Sequence, residues 1–320
     1  MSEVKKQHYV PQCYLRNFTF DKDQTYLCCK DLVSGSVFKP NIENIAQQKY
    51  FYDFPDQDDS NFQVIEKTFS KIEGNYATYL KRLINNVQSG YLLSPNKDAR
   101  IITKDLKDAF SLYLSVQYFR TPTHRRAIQD MMIGTVNWML PHFLEHHAPP
   151  PPEGLNVDDI YAEYNEEYAP IHHAEFMFKD ETIERFSDLF YNKVWVIGYC
   201  TSESLLYTSD NPVVKHSQFK SPVRGYGLGS PNIEIYFPIS SRIVLMLFEE
   251  GLYRTQVRSE IKEDCIYELP DEYIRYINSM QVYQAQRQVY CEIDDFNLVD
   301  EMIKTNPEIT SKDKPQIVMN

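Results

Sequence analysis

Three short blocks of this 320-residue chain carry polar side chains where the surrounding pattern is apolar. QHYVPQ, near the N-terminus, holds His8 and Gln12. QYFRTPTHRR holds Gln117, Arg120, His124, Arg125 and Arg126, and YTSDNPVV holds Ser209, Asp210 and Asn211. A histidine, with a reference pKa near 6.5, suits proton transfer at neutral pH. A guanidinium can grip an anion and stabilise charge that develops in a transition state. The expectation is one shared pocket. In it His8 is the general acid or base, Arg120 and Arg125 hold an anion, and Asp210 or Glu73 orients the imidazole or activates water. Gln12, Gln117 and Asn211 position the substrate.

Each of these residues also has a plain structural alternative. Arg120 falls on a helix with Phe110 and Leu114, where a half-buried guanidinium needs an internal carboxylate. Asp-Asn-Pro after a strand is a turn signal in its own right. Glu66 and Glu73 lie seven apart on one helix face, crowded by Ile65, Phe69, Ile72 and Tyr76. Glu73 is thus either the partner of Arg120 or a catalytic group, and Glu66 reads as a solvated glutamate. The adjacent pairs His146-His147 and His172-His173 point about 100° apart on a helix and make no metal site alone. No HExxH, GxSxG, phosphate loop, GxGxxG or kinase signature occurs, so neither metal nor cofactor is expected.

Charge is uneven along the chain. The formal net charge is −12, which argues against wholesale coating of nucleic acid or acidic membrane. Yet residues 109–129 and 212–233 contain no carboxylate and six Lys or Arg between them, so a local electropositive mouth is expected. No apolar run approaches a membrane span, and the N-terminus lacks the apolar region of a signal peptide. Six cysteines without CxxC spacing fit reduced thiols in a cytoplasmic protein.

These blocks must be positioned by helices and strands. Residues 25–40 read as two strands around Ser-Gly-Ser, and 49–54 as another. Phe62, Ile65, Phe69, Ile72, Tyr76, Leu80 and Leu83 predict a helix over 61–87. A second helix opens at Thr103, ends at Pro122, and is followed by a third over about 124–146. APPPPEG at 148–154 is an extended loop, after which IHHAEFMFKDETIERFSDLFYN resumes a helix. Residues 193–200, 204–210, 233–240 and 242–250 read as antiparallel strands, 271–292 as a final helix, and the chain from about 305 as a frayed tail. Segregated helices and strands make a single α+β domain over 1–320, with a mostly antiparallel sheet.

HYVPQCYLRNF, IEKTFSKIE, QYFRTPTHR, LYTSDNPVV and FPIS occur in an order that resembles the uncharacterised domain-of-unknown-function 4238 family, mainly bacterial. The likeness covers roughly residues 6–291. It implies that His8, Gln12, Gln117, Arg120, Arg125, Asp210 and Asn211 belong to a shared pattern. Cys13 stands where that pattern has an aromatic or other apolar residue. The function expected is a metal-independent hydrolase or nuclease-like enzyme on a phosphate-bearing substrate: RNA, DNA or a nucleotide. A bacterial toxin or phage-defence effector is compatible with such an enzyme. The alternatives are a non-catalytic protein that binds an anion or peptide, and a buried polar network without catalysis.

Overall fold

In the computed structural model, residues 3–55, 62–93, 100–147, 156, 159–179, 181–217 and 227–311 are described. The proline-rich stretch 148–154 and residues Lys220 and Arg224 lie outside them. The architecture is α+β. A five-stranded sheet forms the centre, with strands β5 (Val194–Tyr199), β7 (Val214–Ser217), β8 (Ile233–Pro238), β9 (Ile243–Phe248) and β10 (Ile266–Glu268) in the order β10-β5-β9-β8-β7. All its pairs are antiparallel except β10 with β5. Strands β5, β8 and β9 are buried on both faces, which explains the unbroken apolar runs of β5 and β9; β8 is interrupted by Glu234, which accepts from the Tyr236 and Tyr276 hydroxyls. Trp195, Ile197, Leu245 and Leu247 pack into the larger core with the helices, whereas Val194, Val196, Val244 and Met246 join a second core on the opposite face.

The helical layer contains α2 (Val64–Leu93), α3 (Lys104–Phe119), α4 (Pro122–His147), α5 (Ala169–Phe178) and α6 (Thr182–Tyr191). α3 packs against both α2 and α6, and its residues 113–119 are all buried. Pro122 acts as the sequence predicts: α3 stops at Phe119, and proline takes the first position of α4, where its missing N–H costs nothing. The expected single helix over 171–192 is two, α5 and α6, with the left-handed Glu181 between them.

A four-stranded sheet joins β2 (Cys28–Asp31), β3 (Val37–Phe38), β6 (Thr208–Ser209) and β11 (Gln288–Cys291) in the order β3-β2-β11-β6. β1 (Lys6–His8) pairs with β4 (Gln47–Lys49), His8 opposite Gln47. Several boundaries differ from expectation. The strand expected over 49–54 ends at Lys49; the chain then turns through Tyr50 at φ +53° and drops Phe51 and Tyr52 into the core. The helix expected over 271–292 is α8 (Asp271–Gln284), and Val289, Tyr290 and Cys291 leave it to pair with β2 and β6. Their β-branched and aromatic side chains suit a strand, and a turn cap described below forces the break. Residues 306–311 of the expected tail are structured: α9 (Asn297–Thr305) precedes a 3-10 turn, Pro307–Thr310, with Ile309 buried, and the remainder lies outside the described residues. Among the described residues no helix is long and apolar enough to cross a membrane.

Candidate active site

In β1 successive side chains point to opposite faces, so Gln7 and His8 meet different surroundings. Gln7 is fully buried. Its Oε1 accepts from the backbone N–H of Tyr52 at 2.6 Å, and its Nε2 donates to Asp53. Gln63, just before α2, clamps the same corner, donating to Asp53 at 3.2 Å and exchanging two bonds with the backbone of Val4. The N-terminal segment is therefore rigidly tied, as Pro11 suggests. His8 is half-buried, and its Nε2 lies 3.3 Å from the carbonyl of Ile42. A carbonyl can only accept, so Nε2 carries the proton and Nδ1 keeps its lone pair. Burial lowers the pKa of His8, opposed by the Ile42 carbonyl and Glu73. The imidazole is neutral at pH 7 and able to take a proton.

Arg120 ends α3 and is 1% exposed. Its guanidinium donates to the backbone carbonyl of His8 at 2.6 Å and pairs with Glu73 on α2 at 2.8 Å. Tyr52 completes the tie, accepting from Arg120 Nε at 3.4 Å while donating to the Arg120 carbonyl at 3.0 Å. The Phe69 ring lies against the guanidinium, 4.4 Å from its centroid. Arg120 is thus where the sequence puts it, beside His8 and Glu73, but it faces inward and is fully engaged. Arg125 is likewise engaged. It stacks on Phe51, donates to the Phe51 carbonyl at 2.6 Å, and donates to His173 Nδ1 at 3.1 Å. His173 donates its one ring N–H, on Nε2, to the Phe119 carbonyl at 2.6 Å, and burial lowers its pKa to about 3. All three guanidinium nitrogens of buried Arg120 are committed to internal partners, whereas half-buried Arg125 commits its Nε and one of its two Nη atoms. This corrects the anion-holding role expected for Arg120, which faces the interior.

Gln117 is also internal. It donates to the Tyr9 carbonyl at 3.0 Å and accepts from Tyr113 at 3.2 Å. Asp210 follows β6, and its carboxylate accepts three backbone N–H bonds, from Gln286 (2.8 Å), Arg287 (2.7 Å) and Gln288 (2.9 Å). It caps the turn between α8 and β11, which is why that helix stops. Asn211 donates to the Gln284 carbonyl at 3.0 Å, at the C-terminus of the same helix, and contacts Thr121 at 3.5 Å. Asp210 and Asn211 serve the junction of α8 with β11, so of the three residues expected to converge only Arg120 and His8 touch, through the His8 backbone carbonyl.

His8, Cys13, Glu66 and Glu73 remain half-exposed and form a rim near the buried Arg120, whose charge is felt at His8, Cys13 and Glu66; Gln12, also half-exposed, precedes Cys13. Gln12 and Cys13 begin α1 (Gln12–Leu15), which packs on α2. Burial pushes the Cys13 thiol up to about 11, so it is no thiolate at neutral pH. Glu66 is the residue whose importance the sequence understated. Burial raises its pKa to about 7; the Arg120 charge opposes this, and Glu73 and Asp53 add to it. Among the described residues its buried Oε2 has no hydrogen-bond partner. Its only signal in the sequence is the apolar company of its helix face. A shallow groove elsewhere on α2, lined by Ala77, Lys81, Arg82 and Asn85, contains none of these residues.

A family model described as "Protein of unknown function (DUF4238)" matches residues 6–295, nearly the whole chain. Comparison with curated proteins finds none that matches, and comparison with solved structures finds none either.

Proposed function

We propose a function for a chain that belongs to the DUF4238 family of proteins of unknown function: hydrolysis by general acid–base catalysis at the rim between β1, α1 and α2. One observation carries this reading. Glu66, with a pKa near 7, and neutral His8, with a free Nδ1, flank a Glu73–Arg120 pair at a half-exposed edge. A carboxyl group that is protonated in part at neutral pH can donate to a leaving group, and an imidazole with a lone pair can activate the nucleophile. Glu73 holds the guanidinium, and the guanidinium holds the His8 backbone, so both are positioning residues.

The narrower proposal is a nuclease-like activity on a phosphate-bearing substrate. RNA is the member of that class best matched to a bare proton-transfer pair, because its 2′-hydroxyl is a built-in nucleophile. Support for phosphate comes from Lys6, whose charge is felt at His8 and whose ammonium also bonds Asn44 at 2.6 Å, and no longer from the buried Arg120. Of the other cations in the two acid-free segments, Arg126 pairs with Asp130 at 2.9 Å and Lys215 bonds the Tyr118 hydroxyl at 2.5 Å. A second reading, a polar network that only holds the fold, is favoured by the complete internal engagement of Arg120.

The test is turnover of a panel containing RNA, single-stranded DNA, nucleotides, and neutral ester and glycoside substrates, measured from pH 5 to 9. His8→Ala and Glu66→Gln are each expected to lose at least ~100-fold in rate on whichever substrate is cut. Among the described residues His8 makes one weak side-chain hydrogen bond, so His8→Ala should cost about 1 kcal/mol in stability. Both variants folded and fully active would remove the catalytic reading. Both failing to fold would favour the network.

A further inference from the structure

The sequence offers no HExxH, and His146-His147 cannot chelate as neighbours. The structure nevertheless gathers a different set on the last turns of α4. There His142, Glu145 and His146 stand at i, i+3 and i+4, on one helix face. Their ligand atoms all lie within 4.8 Å of one another, and the two imidazole centroids are 4.2 Å apart. All three side chains are exposed, so an ion can reach them. The Nδ1 of His146 lies 3.1 Å from the His142 carbonyl. That carbonyl can only accept, so it holds the proton on Nδ1 and leaves Nε2 bare. A backbone carbonyl that fixes the tautomer in this way is the usual outer partner of a ligating histidine.

From this geometry we infer that the end of α4 binds a borderline divalent transition metal, of the zinc, nickel or copper class, through His142, His146 and Glu145. Two imidazoles and one carboxylate suit those ions rather than magnesium or calcium, which take oxygen ligands. Three protein ligands leave a fourth position for water or another donor. In the order His-x-x-Glu-His a single helix presents its two histidines to zinc; here the Glu145 carboxylate lies close enough to join them. The site is separate from the rim around Arg120. His142 lies 17 residues beyond Arg125 on the same helix, roughly 25 Å along its axis. The inference therefore stands whether or not the acid–base reading does.

The experiment is titration of the chelator-stripped full chain with Zn²⁺ alone, and separately with Ni²⁺, followed calorimetrically at pH 7.5 and again at pH 5.5. One ion per chain is expected. Removing a ligand should cost more than the roughly 10–100-fold typical of losing an outer partner, so His142→Ala/His146→Ala should bind at least about 10-fold more weakly. Binding should also weaken at the lower pH, because ligating imidazoles must shed their protons. The three positions are exposed, so the variants should keep the wild-type circular dichroism. Zinc bound with unchanged affinity by the folded double variant, or no uptake by the wild type, would overturn the site.

Discussion

Replacing Arg120 with methionine removes the guanidinium while keeping much of its apolar stem, and the structure sets the cost. Three acceptors lose a donor: the His8 carbonyl, the Glu73 carboxylate and the Tyr52 hydroxyl. A hydrogen bond from a charged group contributes about 1.5–3 kcal/mol net, and breaking a fully buried ion pair costs about 3–5 kcal/mol. Glu73 retains 28% exposure and can rehydrate, which places the sum nearer about 3–4 kcal/mol. Adding Glu73→Gln removes the orphaned charge and should return about 1–2 kcal/mol, a non-additivity expected of contacting partners. Urea unfolding followed by fluorescence of the buried Trp195 measures both numbers. A loss below about 1 kcal/mol for Arg120→Met would show that the guanidinium is not a tie. A double variant no more stable than Arg120→Met would show that Glu73 is not its partner.

Asp210→Ala should cost about 3 kcal/mol through its three backbone acceptor bonds, and amide exchange at 286–288 should quicken more than elsewhere; unchanged exchange there would refute the cap. Glu66 binds its proton more tightly folded than unfolded, so its contribution to stability falls as pH rises from about 4.5 to about 7. After allowance for its partial exposure, Glu66→Gln should raise stability by about 1–2 kcal/mol at pH 8 and by little at pH 4, and urea midpoints at both pH values check this. His173 behaves oppositely. Its folded pKa of about 3 lies below the unfolded value, so stability present above pH 6.5 is lost as pH falls towards 3, by up to about 4 kcal/mol. His173→Gln should flatten that acid limb of the urea midpoints, and an unchanged slope would assign the loss elsewhere.

Much of the fold was legible because it rests on local period and backbone chemistry. The three-and-four spacing from Phe62 to Leu83 produces α2, Pro122 separates α3 from α4, and the unbroken apolar runs become strands covered on both faces. The Arg120–Glu73 pairing was also foreseeable, since a guanidinium among apolar residues needs a carboxylate and the nearby helix offers one. Other features have no local cause. The helical period of α8 continues past Gln284, yet the chain breaks because a carboxylate 76 residues earlier takes the amide of Gln286. Whether Arg120 and Arg125 face a ligand or the interior depends on the direction of each side chain after packing. Their acceptors, the carbonyls of His8 and Phe51, are backbone groups that no residue type announces. Glu66 differs from an ordinary surface glutamate only through burial against a neighbouring carboxylate and guanidinium, an electrostatic environment that comes into being when α2 meets the N-terminal segment. Residue types and spacing decided which groups could do chemistry; tertiary packing decided which of them keep a free atom with which to do it.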